Sequence, residues 1–377
     1  MATVAIANSE PLIRNDETMK YRPLGRTGLS VSALSFGCMR LADDPPLNEK
    51  LLSRAIELGV NYFETTRFYL GGTCQHRTAP GVKGKTDRVI VSGKSGLGPD
   101  TTAHSFRKEI ELQLDILGLS HFKFYQVGWI QWKNFPYLLR RGGALDALRR
   151  AQDEGLVQHI GFTGHDLPEN VIKMAETGLF DSFTVPYNMI NRAYEPAIQR
   201  AGELGVGVIA MTPVAGGVLS CPSPALREAI GLDLPTPAIA LRFVLSNPNI
   251  STACSGMNTL QMLEENVACV GKFEPKEENF QQMCAGLDRL REKAGGRFCT
   301  FCNYCAGCPA KLNVAQLMEI WQHDKAFQLH DWARDALKAL PEEARPDHCT
   351  FCGACESKCP NSIKIRERIK ELIPAAS

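Results

Sequence analysis

Residues 61–69 read Asn61-Tyr62-Phe63-Glu64-Thr65-Thr66-Arg67-Phe68-Tyr69, and this stretch decides how the chain is to be read. An apolar strand end runs into a turn, and an acid and, five residues on, a tyrosine are brought to the same mouth. A phenol is a poor acid at neutral pH, so a buried tyrosine that gives up a proton needs an ammonium close by to stabilise its phenolate. Lys94 closes the next apolar run, Arg88-Val-Ile-Val-Ser-Gly-Lys94. Consecutive strand ends of a parallel barrel are neighbours in space. Glu64 beside that lysine would hold the ammonium in place and keep it charged.

Working outward, short runs rich in β-branched and aromatic residues alternate with amphipathic stretches, which predicts βα units around a parallel sheet. Eight strands are expected, at 33–39, 61–65, 88–94, 122–129, 159–165, 182–188, 205–211 and 250–256. Helices are expected at 47–58, 102–117, 143–154, 170–177, 196–204 and 237–246. Eight such units point to an α/β fold, a (β/α)8 TIM barrel with its site at the C-terminal strand ends. A doubly wound sheet is the alternative, but the first strand is not followed by a Gly-x-Gly-x-x-Gly turn.

The 377 residues suffice for one large and one smaller domain, and 44% hydrophobic with 22% charged residues is an ordinary globular composition. A net charge of +1 gives no reason to expect nucleic acid or an anionic membrane as partner, and no apolar run approaches a membrane span. Residues 1–18 read as a tail without the pattern of an export signal. The barrel is expected over 19–285 and a second domain over 286–377.

Of fourteen cysteines, eight fall in two tight runs near the C-terminus, which points to metal and to a reducing, cytoplasmic setting rather than to disulfides. Cys299-Thr-Phe-Cys302-Asn-Tyr-Cys305-Ala-Gly-Cys308-Pro309 is the first run, and Cys349-Thr-Phe-Cys352-Gly-Ala-Cys355-Glu-Ser-Lys-Cys359-Pro360 the second. The second has the bacterial ferredoxin spacing that ligates 4Fe-4S clusters, and the first is one residue shorter between its last two cysteines. Paired tetrahedral zinc sites are the rival reading. Between the runs, 315–340 reads as helices, and 366–373 as a final helix. The other six, Cys38, Cys74, Cys221, Cys254, Cys269 and Cys284, read mostly as small core fillers.

The order acid, tyrosine, lysine on successive strand ends, behind Tyr21-Arg-Pro-Leu-Gly-Arg-Thr-Gly28, closely resembles the aldo-keto reductase family over roughly residues 19–285. The whole resembles the group of these reductases that carries a C-terminal ferredoxin-like extension. The resemblance implies Tyr69 as proton donor, Lys94 as its electrostatic partner and Glu64 as the orienting acid. It implies a nicotinamide dinucleotide, NADPH or NADH, at Pro213-Val-Ala-Gly216-Gly217-Val-Leu219 and at Gly256-Met257-Asn258-Thr259. There small residues admit a pyrophosphate and a helix N-terminus attracts phosphate. Glu265 and Asn266 match the acid and amide that contact adenine. By analogy with two-cluster ferredoxins, Cys299, Cys302, Cys305 and Cys359 would hold one 4Fe-4S cluster, and Cys349, Cys352, Cys355 and Cys308 the other.

The chain also departs from the family. Its acid is Glu64 where the family has Asp. The fourth strand reads Tyr125-Gln126-Val127-Gly128-Trp129 where the family usually reads Tyr-Gln-Leu-His-Gly, so Gly128 stands at the histidine that orients the substrate carbonyl. Trp129 is expected to fill part of the space. Gly256 and Met262 match basic residues that clamp the ribose phosphate in NADP-preferring members, and neither pairs with a phosphate. Met211 replaces an aromatic that stacks under the nicotinamide. Thr163-Gly164, with His165 next, replaces the Ser-Asn pair that holds the carboxamide, while Asn188 keeps one amide contact. The segment 70–77 is rich in loop formers.

Three readings follow: a working reductase with a modified proton relay, a barrel doing a non-redox lyase or isomerase reaction, and a catalytically silent electron-transfer scaffold. Retention of Tyr69, Lys94 and Glu64 together favours reduction of a small carbonyl compound. The clusters would relay electrons from ferredoxin or another donor, or hold their domain together. A flavin is not excluded, since barrels bind flavin phosphate without a fingerprint.

Overall fold

The computed structural model describes residues 19–271, 273–293, 295, 298, 299, 305–359 and 362–376. The expected tail at 1–18 and the proposed ligand Cys302 lie outside them. Two compact units emerge: one runs to Tyr187 and takes in Tyr194–Pro213 and Asn247–Pro275, and the other comprises Asn188–Ala193, Val214–Ser246 and Lys276–Ser377.

In the first unit eight parallel strands close into a barrel. They are β1 (Leu34–Gly37), β2 (Tyr62–Glu64), β3 (Ile90–Gly96), β4 (Phe122–Ile130), β5 (Val157–Gly164), β6 (Ser182–Pro186), β7 (Gly207–Met211) and β8 (Thr252–Ser255). Each strand pairs with the next, and β8 returns to β1. All eight lie where the alternation of pattern placed them, with ends moved by a few residues. Five expected helices fall at Pro45–Glu57, Ala103–Leu117, Ala144–Asp153, Pro168–Glu176 and Glu195–Leu204. The caps explain their starts: Asp44 accepts from the Leu47 amide, and Thr102 and Ser105 form a reciprocal capping box.

The segment after Tyr69 corrects the loop-like reading: a short 3-10 turn, Leu70–Gly72, leads into a helix, Cys74–Val82. Its buried face, with Cys74, Gln75, Thr78 and Val82, compensates for glycines and an internal proline, because packing overrides propensity.

The motif at 21–28 also gains a cause. Tyr21–Pro23 and Ser30–Ser32 pair as an antiparallel hairpin, and Leu24 and Val31 bury themselves with Tyr62, Ile90, Phe124 and Ile209. Gly25 has φ 55°, and a Cβ there would lie 2.4 Å from the Gly207 amide nitrogen, so no other residue fits.

The second unit contains the helices Pro224–Ile230, Thr236–Ser246 and Glu277–Lys293, then Val314–Trp321, a π turn at Gln322–Ala326, His330–Lys338 and Ile365–Ala376. Thr236–Ser246 and the helical reading of 315–340 and 366–373 agree with expectation. A Cβ on Gly286 would overlap the Ala229 carbonyl, so two of these helices cross where only glycine permits it. A separate core forms around Leu317, Trp321, Leu337, Ile365, Ile369 and Leu372, and Cys299, Cys305, Cys308, Cys349, Cys355 and Cys359 pack against it. Among the described residues, no helix is long and apolar enough to cross a membrane.

Candidate active site and cysteine cavity

Register brings the barrel site together. Glu64 on β2 is aligned with Ser92 on β3, and Lys94 with Gln126 on β4. Side chains two apart on a strand share a face, so Ser92, Lys94 and Gln126 all point inward at neighbouring heights. The Lys94 ammonium donates to Glu64 Oε1 at 2.6 Å, with side-chain exposures of 0% and 7%. Its nitrogen stands 4.9 Å from the centre of the Tyr69 ring, close enough for the two groups to act on each other electrostatically.

Electrostatics follow from this packing. Burial works against the Lys94 ammonium, but the Glu64 carboxylate and Tyr69 outweigh it and hold its pKa above the ordinary 10.5. Burial pushes the Tyr69 hydroxyl up, with Lys94 opposing and Glu64 adding, so the phenol is protonated at neutral pH and ready to donate.

The sequence reading missed what fixes Glu64. Gln126 Nε2 donates to Ser92 Oγ at 2.8 Å and reaches Glu64 Oε2 at 3.5 Å. Its Oε1 accepts from Thr163 at 3.0 Å and from Thr184 at 2.9 Å. Inward alternation from Ser92, Lys94 and Gln126 to Thr163 and Thr184 was the signal for this layer. Thr163 is therefore fully buried with its proton committed to Gln126, rather than free to donate to a carboxamide.

Gly128 is aligned with Gly96, and a Cβ on it would sit 3.3 Å from the Ser95 carbonyl oxygen. The ladder slips between Val127 and Ile130, and Trp129 takes φ 53°, a left-handed conformation that costs a bulky residue energy. Its indole meets Tyr69 edge-on at 6.1 Å and Phe68 at 6.0 Å. The aromatic ring, in place of an imidazole donor, lies against the phenol. His165, just beyond β5, is exposed.

Three buried thiols adjoin the pair. Cys74 Sγ donates to the Cys38 carbonyl at 3.5 Å and lies at the same distance from Thr65 Oγ1. Burial raises the pKa of Cys38, Cys74 and Cys254, and the Glu64 charge adds to it at Cys38 and Cys254.

Of the residues expected at a dinucleotide, Gly256 lies just beyond β8, where a Cβ would stand 2.7 Å from Arg40 Cγ. Arg40, on the turn Cys38–Arg40, was not foreseen, because nothing in sequence links residues 40 and 256. Asn258 and Glu265 are exposed and Asn266 half-buried; Glu265 accepts from Gln261 at 2.8 Å, and Thr259 caps the helix Leu260–Gly271 by accepting from Met262 N at 3.1 Å. In the other unit, Asn188 Oδ1 accepts from the amides of Ile190 and Asn191, closing a turn. Gly216 and Gly217 have φ 67° and 107° with open space where a Cβ would stand, the backbone of an amide-lined anion cradle.

The cysteine runs line a small cavity of about 10 Å³, with Cys305, Cys308, Cys349, Cys352 and Cys355 on its walls. Gly307 and Gly353 both take φ 80°, bending the loops around it. The Phe351 amide donates to Cys349 Sγ at 3.4 Å, and Lys358 reaches from the second run to the Ala306 carbonyl at 3.3 Å. Several thiols facing one space are the donor set of an iron-sulfur cube, whose corners take one thiolate each. Cys299 and Cys359 do not line it, and the Cys299 amide donates to Gln322 Oε1 at 2.9 Å.

Comparison with known proteins identifies both regions of the chain. The model of the aldo/keto reductase family matches residues 33–223, and that of a 4Fe-4S dicluster domain matches residues 298–363. The chain belongs to the aldo/keto reductase family. It is 26% identical over 287 residues to L-galactose dehydrogenase of Arabidopsis thaliana, covering 68% of this chain and 89% of that protein. It is 25% identical over 229 residues to 6-dehydroglucose reductase of Novosphingobium aromaticivorans, covering 56% and 74%. Among solved structures, the holo form of an aldo-keto reductase from Bacillus halodurans superposes with a TM-score of 0.63 at 24% identity, covering 70% of this chain and 95% of that one. The protein is thus an aldo-keto-reductase-like oxidoreductase carrying a 4Fe-4S dicluster domain.

Proposed function

We propose that the barrel reduces a small carbonyl compound, with Tyr69 as proton donor. The observation that carries this is the buried Lys94–Glu64 pair at 2.6 Å with the centre of the Tyr69 ring 4.9 Å from the same ammonium. A nicotinamide would supply hydride to the carbonyl carbon. The Tyr69 proton passes to the carbonyl oxygen, and the Lys94 ammonium stabilises the phenolate left behind. Glu64 keeps that ammonium charged, and Gln126 keeps Glu64 aimed. Trp129 adds an apolar wall beside Tyr69 and excludes water. Solvent then returns a proton to the phenolate.

Arg40 over Gly256 supplies the cation that Gly256 and Met262 lack, which favours NADPH over NADH. Thr259, Asn258 and the N-terminus of Leu260–Gly271 suit a phosphate, with Glu265 and Asn266 further along the same helix. The roles of Asn188, Gly216 and Gly217 rest on the family resemblance and on their turn geometry.

Cys305 and Cys308 of the first run line one cavity with Cys349, Cys352 and Cys355, and the crossed pairing of ligands rests on the resemblance to two-cluster ferredoxins. On that analogy Cys299, Cys302, Cys305 and Cys359 would hold the second cluster. Two clusters fit one-electron relay between an external donor of ferredoxin type and the chain. The test is Tyr69→Phe in the anaerobically reconstituted protein. Carbonyl turnover should fall by about a thousandfold while cluster reduction by dithionite is untouched. Turnover surviving this change would remove Tyr69 from the mechanism.

A further inference from the structure

A cavity of about 100 Å³ in the second unit is lined by none of the barrel's relay residues. Three pieces of chain meet there. The turn closed by Asn188 contributes residues 189–193, and the helix Glu277–Lys293 contributes Leu287 and Arg291, four apart and so on one face. The π turn at Gln322–Ala326 begins on the wall with Gln322 and hands over to Phe327, also on the wall. Such turns are frequent at functional sites. Phe298 and Cys299 complete the lining. A wall with one thiol is not the seat of an iron-sulfur cube, whose corners take one thiolate each.

The nitrogen-bearing side chains on this wall all present donors. Asn191 Oδ1 accepts from the Ala193 amide at 3.4 Å and Gln322 Oε1 from the Cys299 amide at 2.9 Å, which leaves both side-chain NH2 groups to the cavity. Arg192 is paired with Asp288 at 2.8 Å. Arg291 is half-buried, and its guanidinium faces the Phe298 ring at 5.1 Å. Among the described residues no carboxylate lines the cavity or pairs with Arg291. Residues 294–304 contain no Asp or Glu, so that stretch adds no acid either. A half-buried cation among donors, with no acid on the wall, is the lining that an anion satisfies. The rest of the wall is apolar, with Met189, Ile190, Leu287 and the rings of Phe298 and Phe327, which meet edge-on at 5.5 Å. An inorganic anion leaves that surface wet, whereas a carboxylate with a short carbon body covers it.

We propose that this cavity binds a small organic carboxylate. Its oxygens take the Arg291 guanidinium, whose planar fork matches them, and the Gln322 amide; its carbon body lies against Leu287, Ile190 and the two phenyl rings. Because Gln322 also holds the Cys299 amide, the bound acid adjoins the start of the first cysteine run. The proposal is independent of the carbonyl reduction described above.

The experiment is anaerobic isothermal titration calorimetry of the full-length, iron- and sulfide-reconstituted chain. The probes are sodium butyrate and sodium benzoate, neither of which offers the barrel an aldehyde or ketone to reduce. A single site is expected for at least one of them. Butyramide, the uncharged counterpart of butyrate, and inorganic phosphate should bind at least about tenfold more weakly. Arg291→Gln should raise Kd about tenfold and Arg291→Lys by less, while Ala193→Leu, which fills the cavity without altering its charge, should abolish binding. Arg40→Ala, in the barrel, should bind as the wild type does. No heat with either acid, or phosphate binding as tightly as the acids, overturns the proposal. So does unchanged affinity in Arg291→Gln or in Ala193→Leu, or a loss in Arg40→Ala equal to that in Arg291→Gln. If one of the two cavity variants does not fold, the other decides.

Discussion

Replacing Glu64 by Gln tests the centre of the barrel with little change of shape. In the wild type, Lys94 Nζ and Glu64 Oε1 are 2.6 Å apart and exposed by 0% and 7%, so water screens the pair hardly at all. Removing one partner of a buried pair costs about 3–5 kcal/mol, because the other charge is left uncompensated. The glutamine keeps an acceptor for Lys94, which places the expected loss near about 3 kcal/mol. For a barrel of this size that corresponds to a fall in Tm of about 6–12 °C. The lysine relieves the cost by losing its proton more easily, since burial, the largest influence on it, now goes unopposed by Glu64. Turnover by the variant should therefore survive at low pH and disappear as pH rises through the depressed lysine pKa, well below the alkaline limit of the wild type. The assay is a thermal melt by circular dichroism together with a pH–rate profile in carbonyl reduction. A melt within about 2 °C of wild type, with an unshifted profile, would falsify the claim that the pair organises the site. Glu64→Leu combined with Lys94→Met offers a control: stability should return while turnover stays absent.

Other outcomes follow from the same geometry. Because the Lys94 pKa is raised in the fold, its contribution to stability is complete below pH 10.5 and is lost as pH climbs through the higher folded value. Alkaline melts should show a loss in the wild type that Lys94→Met lacks, and matching slopes would contradict the linkage. Arg40→Ala should raise KM for NADPH about tenfold and leave that for NADH unchanged; equal effects would remove Arg40 from cofactor choice. Cys349→Ser should lower bound iron from about eight to about four per chain, and an undiminished iron content would refute its assignment as a ligand.

Much of the fold was legible because a (β/α)8 barrel writes its period into the sequence. Apolar runs such as Ile90–Ser92 and Phe122–Val127 are buried by neighbours on both sides and read as strands regardless of the rest. Glu64 and Lys94 were legible as a pair because adjacent strand ends must meet. Other features depend on contacts far apart in the chain. Arg40 reaches Gly256 across the closure of β8 on β1, and Gln126 gains its role only when Ser92, Thr163 and Thr184 surround it. The helix Cys74–Val82 was hidden by glycine, threonine and proline, whose weak propensities are overruled once Cys74 and Val82 are buried. The cysteine runs announced iron-sulfur chemistry by spacing alone, and analogy placed Cys308 with the second run, yet that Cys305 lines the same cavity needed three dimensions.

The thiols of Cys38, Cys74 and Cys254 bear on how the protein ages in air. A thiol reacts with peroxide or with another disulfide through its thiolate, and burial keeps these three protonated. The barrel thus surrounds its proton relay with sulfur that is chemically quiet, and oxidative damage to the chain begins elsewhere.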